Sequence, residues 1–357
     1  MRILHLDSGR HWRGGQRQVF LLAQAQRERG FEPLVVAAPH SPLAGRLKTQ
    51  GIASAAVAMR IDFDVIAMRR VRRIFSRWRP DIVHAHDARA HAIALGALIG
   101  APAPLVVTRR VPFVPKGRLK YGSRVAHFIA ISEAVGQALQ LGGVAADRCT
   151  VVYSGVPTPT VGTPRDWRRE AGWPADTLLC AVVGAMTAEK GVEQLQEIAA
   201  KLAPATRDRV RLVLLGGSAI GADTFGGIAA YRAGFVDAIH DAMAGVDMLW
   251  HPSGAEGLGT AVIDAMALGV PPVAFATGGL AELVEPEESG LLAPPGDVTA
   301  FAREVERLVS DDALRRRLAE GGRARAAQFS VERMVNGSAA VYEQVLAHQA
   351  AAAGHAP

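Results

Sequence analysis

The chain has 357 residues, 49% of them hydrophobic and 6% aromatic. Aliphatic side chains must therefore fill its cores, and the length suits two domains of ordinary size. Its two cysteines, Cys149 and Cys180, lie far apart in sequence and give neither a disulfide framework nor a cysteine-spaced metal site. The net charge is +6, but residues 1–160 carry 23 Lys and Arg against 9 Asp and Glu, a local +14, leaving −8 for the remainder. The first half is thus expected to meet something anionic.

Residues 2–7 read as a short buried strand that turns polar too soon for a secretion signal. Gly14-Gly15 forms a turn, and Val19, Leu22, Ala23 and Ala25 keep helical spacing over residues 16–29 until Gly30. Strands follow at residues 34–38, 81–85, 105–108 and 128–131. Helices are expected at 65–77 and 92–99, and from Ser132-Glu133 onward. Residues 158–164, rich in Pro, Thr and Gly, read as a linker.

The alternation then restarts. Strands are predicted at 178–183, 211–215 (ending in Gly216-Gly217), 248–251 and 272–276. Helices are predicted at 192–202, 260–268, 298–308 and 313–328. Strands alternating with helices indicate parallel sheets covered on both faces. Domains are expected at 1–160 and 165–330, with a last helix at 331–347 packing back toward the first and a frayed tail after it. No apolar run is long enough to cross a membrane, so a cytoplasmic protein is expected.

The most informative stretch is 253–274, where a strand leads into an acid-glycine loop and the loop into a helix. Glu256 stands at the mouth, and Gly257 and Gly259 let the backbone approach a ligand closely. Free N–H groups at the helix start make an anion site suited to phosphate. Asp264, eight residues on, lies about two helical turns further in. Two carboxylates so placed suit hydroxyl groups at the two ends of a nucleotide-sugar. Lys190 offers a fixed ammonium for the charge that develops on a departing phosphate, a role that calls for no metal.

These residues resemble the E-x7-E signature of retaining glycosyltransferase family 4. Asp264-Ala265-Met266-Ala267-Leu268-Gly269-Val270-Pro271 is similar to the run that follows in that family. Residues 277–284 and 290–297 resemble its next loops, the loop 184–191 (GAMTAEKG) its Gly-Arg-x…Lys-Gly loop, and Gly14-Gly15 its first glycine pair. The resemblance covers nearly the whole chain and is strongest over 182–297. It implies an α/β protein of the GT-B fold, two Rossmann-like doubly wound parallel-sheet domains facing across a cleft, with the donor held by the second.

It also implies roles. Glu256 would contact the transferred sugar, Asp264 the ribose and Lys190 the diphosphate. The backbone of Gly257, Leu258, Gly259 and Thr260 would complete the cradle, with Gly184 and Gly217 beside it, and Gly14, Gly15 and Gln16 would approach from the first domain. The activity implied is transfer of a hexose-type sugar, with retention, from a nucleoside-diphosphate sugar to a hydroxyl acceptor. That acceptor would be a glycan, a lipid-linked saccharide or a lipopolysaccharide core, and no cofactor besides the donor substrate is required.

Three positions depart from the family pattern. Asp264 replaces the second Glu, and Ala185 replaces the Arg of the lysine loop. Thr108-Arg109-Arg110-Val111 stands where many relatives carry a His, which makes Arg110 the candidate catalytic residue there. These departures keep open a non-catalytic nucleotide-binding homologue. A nucleotide-sugar epimerase on a related scaffold is a further reading, against which residues 256–270 stand.

In the first half, His84, His86 and His91 cluster after a strand end with Asp87 and Arg89. His84 reads as a buried, satisfied histidine. His86 reads as a catalytic candidate lining the cleft with Asp87. A zinc site at these histidines lacks a convincing further ligand, and Asp62-Phe63-Asp64 reads as a solvated loop rather than a metal site. The basic stretches are 69–79 and 109–124. The second mixes Phe113, Val114, Leu119 and Tyr121 with its cations, which suits an anionic membrane surface or a clamp for an anionic acceptor, the alternative being a solvated face. No nucleic-acid module accompanies the charge. A peripheral position at the inner face of the membrane is therefore expected.

Overall fold

The computed structural model describes residues 1–354, apart from the side chains of residues 118, 119 and 352–354. Arg118 and Leu119 of the second basic stretch, and the end of the tail, thus lie outside the described side chains. The chain divides into two compact units, Met1–Gly155 with Val331–Pro357, and Val156–Ser330.

The first unit is built on seven strands: β1 (Arg2–Leu6), β2 (Glu32–Ala37), β3 (Ser54–Ala56), β4 (Ile82–Ala85), β5 (Leu105–Arg109), β6 (His127–Ala130) and β7 (Cys149–Val151). All pairings are parallel, in the order β3-β2-β1-β4-β5-β6-β7. Such a sheet must bury both faces, and β4 and β6 are buried along their whole length. The helix Gly14–Glu28 turns Val19, Leu22 and Ala23 onto the sheet. The last helix, Val331–Gly354, adds Met334, Val335, Val341, Tyr342 and Val345 to the core cluster that holds Ile3, Ile82 and Ile129. It runs on to Gly354, past the end expected at residue 347, because its alanine-rich continuation favours helix.

The second unit carries β8 (Leu178–Val183), β9 (Val210–Phe225), β10 (Ile228–Gly234), β11 (Met248–His251), β12 (Pro272–Phe275) and β13 (Leu291–Ala293), in the order β10-β9-β8-β11-β12-β13. Its core is aliphatic around Trp250, Phe275 and Phe301. Residues 158–164, expected as the linker, belong to this unit, and the chain passes between units at Gly155/Val156 and at Ser330/Val331.

The sequence reading ends a strand at Gly216-Gly217, and the structure corrects it. The two glycines, at φ +135° and +73°, reverse the chain without ending the strand. β9 continues to Phe225 and pairs antiparallel with β10, Ile228 opposite Phe225 and Ala233 opposite Ile220. The same residues of β10 also register with the inner limb of β9, Ala230 with Leu212 and Gly234 with Gly216, both rising together. β10 therefore lies between two limbs of β9, and the outer limb replaces the helix that a parallel crossover ordinarily uses.

In each unit the strand order reverses once, between β1 and β4 and between β8 and β11. The carboxyl ends of those strands bound the crevice where an open α/β sheet takes its ligand.

Candidate active-site residues in each unit

In the second unit, β8 leads to Gly184 and then to a short turn at Ala188–Lys190, while β11 leads through Pro252 to the acid-glycine loop. The two loops meet closely. A Cβ on Gly191, which sits at φ +74°, would stand 1.9 Å from the Pro252 carbonyl oxygen, so only glycine lets them approach. Lys190 Nζ donates to Glu256 Oε2 at 2.6 Å, and His251 Nε2, from the end of β11, donates to the same oxygen at 3.2 Å. Burial alone would raise the Glu256 carboxyl. The His251 hydrogen bond and the charges of His251 and Lys190 outweigh it and hold the group at about 2.

The helix Thr260–Leu268 starts behind Gly259 with no side-chain cap, so its first N–H groups are not claimed by a capping side chain. Leu258 is buried, which leaves only its backbone for a ligand. The Gly257 carbonyl and the Leu258 Cα pack against Gly279 so tightly that a Cβ there would lie 2.3 Å from the carbonyl oxygen. Asp264 is buried inside the helix and accepts a hydrogen bond from His240 Nε2 at 3.1 Å. Gly184 lies beside the Lys190 side chain, and Gly217 beside Met186 of the same loop. The structure thus gathers Gly184, Lys190, Gly217, Glu256, Gly257, Gly259, Thr260 and Asp264 at one end of one sheet.

In the first unit, Gly14 and Gly15 open a helix whose N-cap, Arg13, makes no side-chain capping bond. Gly15 faces the Arg110 side chain. The Gln16 amide donates to both oxygens of Asp7 at 3.1 Å, so its expected approach to a ligand competes with this bond. Burial, then the charge of Asp87, raises Asp7 to about 6. Asp87 accepts from the Ser8 backbone and hydroxyl, each at 2.6 Å, and caps the helix Ala88–Ala97. Arg110 reaches within 3.5 Å of His86 Nδ1. Burial lowers Arg110 to about 10 against the opposing pull of Asp7 and Asp87.

His86 departs from its expected place. It is 2% exposed, because the end of β4 is covered by its own neighbours, and its ring nitrogens meet Arg110 and His5. His84 is buried and bonded to Tyr342 and Thr108. His91 stands apart against Tyr121 and Phe128, since the chain turns helical at Ala88 and strand alternation stops. The three imidazoles that do meet are His5, His84 and His86. Asp64 caps the helix Val65–Trp78, and Asp62 pairs with Lys120.

Sequence reasoning missed His251, His240 and His5. His251 carried one usable signal, its place as the last strand residue before the acid loop. His240 and His5 carried none, since their partners lie 24 and 81 residues away.

Fold and strand-end chemistry define a GT-B protein. The model for glycosyl transferases group 1 matches residues 164–325, and that for glycosyltransferase family 4 matches residues 12–159. The chain belongs to glycosyltransferase family 4. It is 34% identical over 204 residues to a D-inositol 3-phosphate glycosyltransferase of Stackebrandtia nassauensis, an alignment covering 52% of this chain and 46% of that protein. The chain spans about half the length of the inositol-phosphate relatives it matches first. The lipopolysaccharide core biosynthesis glycosyltransferase LpsE of Rhizobium meliloti matches over 97% of this chain and 99% of its own length, at 26% identity. In fold, the chain is similar to Anabaena Alr3699/HepE solved with UDP-glucose, with a TM-score of 0.83 and 22% identity over 96% of this chain and 100% of that one.

Proposed function

We propose that this protein transfers a sugar, with retention, from a nucleoside-diphosphate sugar to a hydroxyl acceptor. The observation that carries this reading is the Lys190–Glu256 pair beside the uncapped start of the helix Thr260–Leu268. Lys190 and the helix N–H groups offer positive charge where a diphosphate leaves. Lys190 and His251 both engage Oε2 of Glu256, so Oε1 is the oxygen neither side chain holds, and it is offered to a hydroxyl of the sugar. When a diphosphate arrives it competes for Lys190, so donor binding and release of the carboxylate are one event. Asp264, with His240, is assigned to the ribose, and Arg110 to an anionic group of the substrate.

The HepE complex with UDP-glucose makes uridine diphosphate sugars the first donors to test. The names of the inositol-phosphate and lipopolysaccharide-core relatives favour a phosphorylated or lipid-linked acceptor. The first unit supports a peripheral place at an anionic membrane. Ile61, Phe63, Val65 and Ile66 are exposed at the start of a helix that carries Arg69, Arg70 and Arg73 outward. Lys120 joins this corner to the loop that exposes Phe113 and Val114, through Asp62 and the Phe63 ring. Among the described residues no helix is long and apolar enough to cross a membrane.

The test is a thermal-shift screen of nucleoside diphosphates and their sugars, followed by NMR of the product's anomeric configuration. A donor-specific shift lost in Lys190→Ala supports the reading. No shift with any nucleotide at millimolar concentration would sink it and favour the non-catalytic homologue that Ala185 and Asp264 keep open. An inverted product would overturn retention alone.

A further inference from the structure

Behind Arg110 the first unit holds a row of side chains in hydrogen-bond contact whose donors and acceptors fit one consistent assignment. Gln26 Oε1, an acceptor only, lies 2.8 Å from His5 Nε2. His5 therefore carries its proton on Nε2, and its Nδ1 is bare. That nitrogen lies 2.8 Å from His86 Nε2, which must donate to it, so His86 Nδ1 is bare in turn. It faces the guanidinium of Arg110, which only donates. The same assignment results from starting at Arg110 and working inward, so both ends of the row demand one tautomer.

The inner end is anchored as well. The Gln26 amide reaches the Tyr342 hydroxyl at 3.4 Å, and Tyr342 lies 2.6 Å from His84 Nδ1. His84 Nε2 meets Thr108 at 2.6 Å. The His84 and His86 rings stand 4.0 Å apart. All three imidazoles are shut away from water, and an added proton on His5 or His86 would leave two donors facing each other.

We infer that His5, Gln26 and Tyr342 are positioning residues that hold His86 in its Nε2–H tautomer, so that its bare Nδ1 orients Arg110 toward the substrate. The inference rests on the transfer reading for what Arg110 does, but not for the tautomer. With the opposite tautomer His86 would aim an N–H at a cation and turn the guanidinium away. The row also gives the returning helix a place in the site, since Tyr342 belongs to it.

Two measurements test this. Ring-nitrogen NMR of histidine-labelled protein, with His86 assigned by its loss in His86→Gln, is expected to show His86 neutral and protonated on Nε2 at pH 7. Gln26→Leu, which leaves the 3.5 Å Arg110 contact opposed by an unpaired, buried His5 Nε2–H, is expected to mix the two tautomers. In kinetics, Gln26→Leu is expected to lower turnover roughly tenfold to a hundredfold through a misaimed Arg110, and to have no further effect in an Arg110→Ala background. Should Gln26→Leu fail to fold, Tyr342→Phe, which removes one hydroxyl, enters the same cycle.

A His86 carrying its proton on Nδ1, a doubly protonated His86, stoichiometric zinc on these rings, or equal losses in both backgrounds would each overturn the proposal. The spectrum needs no turnover. If no sugar transfer is found, it still decides the tautomer, and the failure then belongs to the transfer reading.

Discussion

Lys190 and Glu256 stand 66 residues apart in sequence and 2.6 Å apart in space, joined at the point where the strand order of their sheet reverses. Glu256→Gln is expected to keep nucleotide binding and lose turnover by about a hundredfold to a thousandfold. Lys190→Ala is expected to lose nucleotide affinity and also to cost about 1–3 kcal/mol of stability, by leaving a largely buried carboxylate with His251 alone. Donor titration and urea unfolding on the same preparations separate the two effects.

His240 donates to the buried carboxylate of Asp264, which is one methylene shorter than the family's Glu. If the pair reads the ribose together, His240→Ala should raise the donor KM about tenfold with kcat little changed, the mark of a contact made equally in ground and transition states. A ribose-to-deoxyribose swap in the donor should then cost the wild type more than the variant. Equal costs would take His240 out of the ribose site.

Burial holds His5 and His91 at about 4, and His84 and His86 well below 6.5. Between about 4 and 6.5 the unfolded chain binds more protons at these rings, so their stability contribution is complete above 6.5 and declines as pH falls toward 4. Asp7 acts in the opposite sense, since its carboxyl is raised from 3.8 to about 6 and its share of stability is lost as pH rises through that range. Four rings against one carboxyl predict a net fall in stability below pH 6.5. Glu256, held at about 2, adds a further loss below 4.5. Urea midpoints at pH 7, 5.5 and 4.5 check it, and a flat profile would contradict the buried neutral histidines.

Gly216 sits at φ +135°, where a Cβ would come within 1.9 Å of the Gly184 carbonyl oxygen. Gly216→Ala must part the ends of β8 and β9 and strain the backbone. It is expected to cost about 2 kcal/mol or more and to weaken nucleotide binding at the adjoining loop. An unchanged urea midpoint would show that these strand ends have room to separate.

The exposed corner around Ile66 and Phe113 predicts cosedimentation with vesicles rich in anionic lipid, weakened by salt, and little with neutral vesicles. Replacing both Ile66 and Phe113 by Asp should abolish it while leaving donor binding intact. Retention of binding in that variant would place the membrane contact elsewhere.

The second unit was the more legible in sequence. The predicted boundaries at 178–183, 248–251 and 260–268 coincide with the observed elements. There, long aliphatic runs meet glycine turns, and local chemistry decides. The outer limb of β9 was hidden because a glycine pair reads as a stop, and residues 218–224 offer few large apolar side chains to mark a strand. β10, rich in alanine, has weak strand preference of its own and exists by pairing. The Lys190–Glu256 pair was legible as two sites but not as one contact. The histidine row depends on pairings across 81, 258 and 316 residues, which no local pattern announces.

The second unit begins and ends at one place, where Val156 and Ser330 bridge and the Val156 amide donates to the Phe329 carbonyl at 2.9 Å. It is therefore an insertion within the first, and this sets an order on biogenesis. On the ribosome, Val156–Ser330 is complete and able to fold while the earlier-made segment still lacks Val335, Tyr342 and Val345 from its core. The amino-terminal half, though synthesised first, is the last to finish. Until it does, its open apolar face is what a chaperone would hold and what a protease would find.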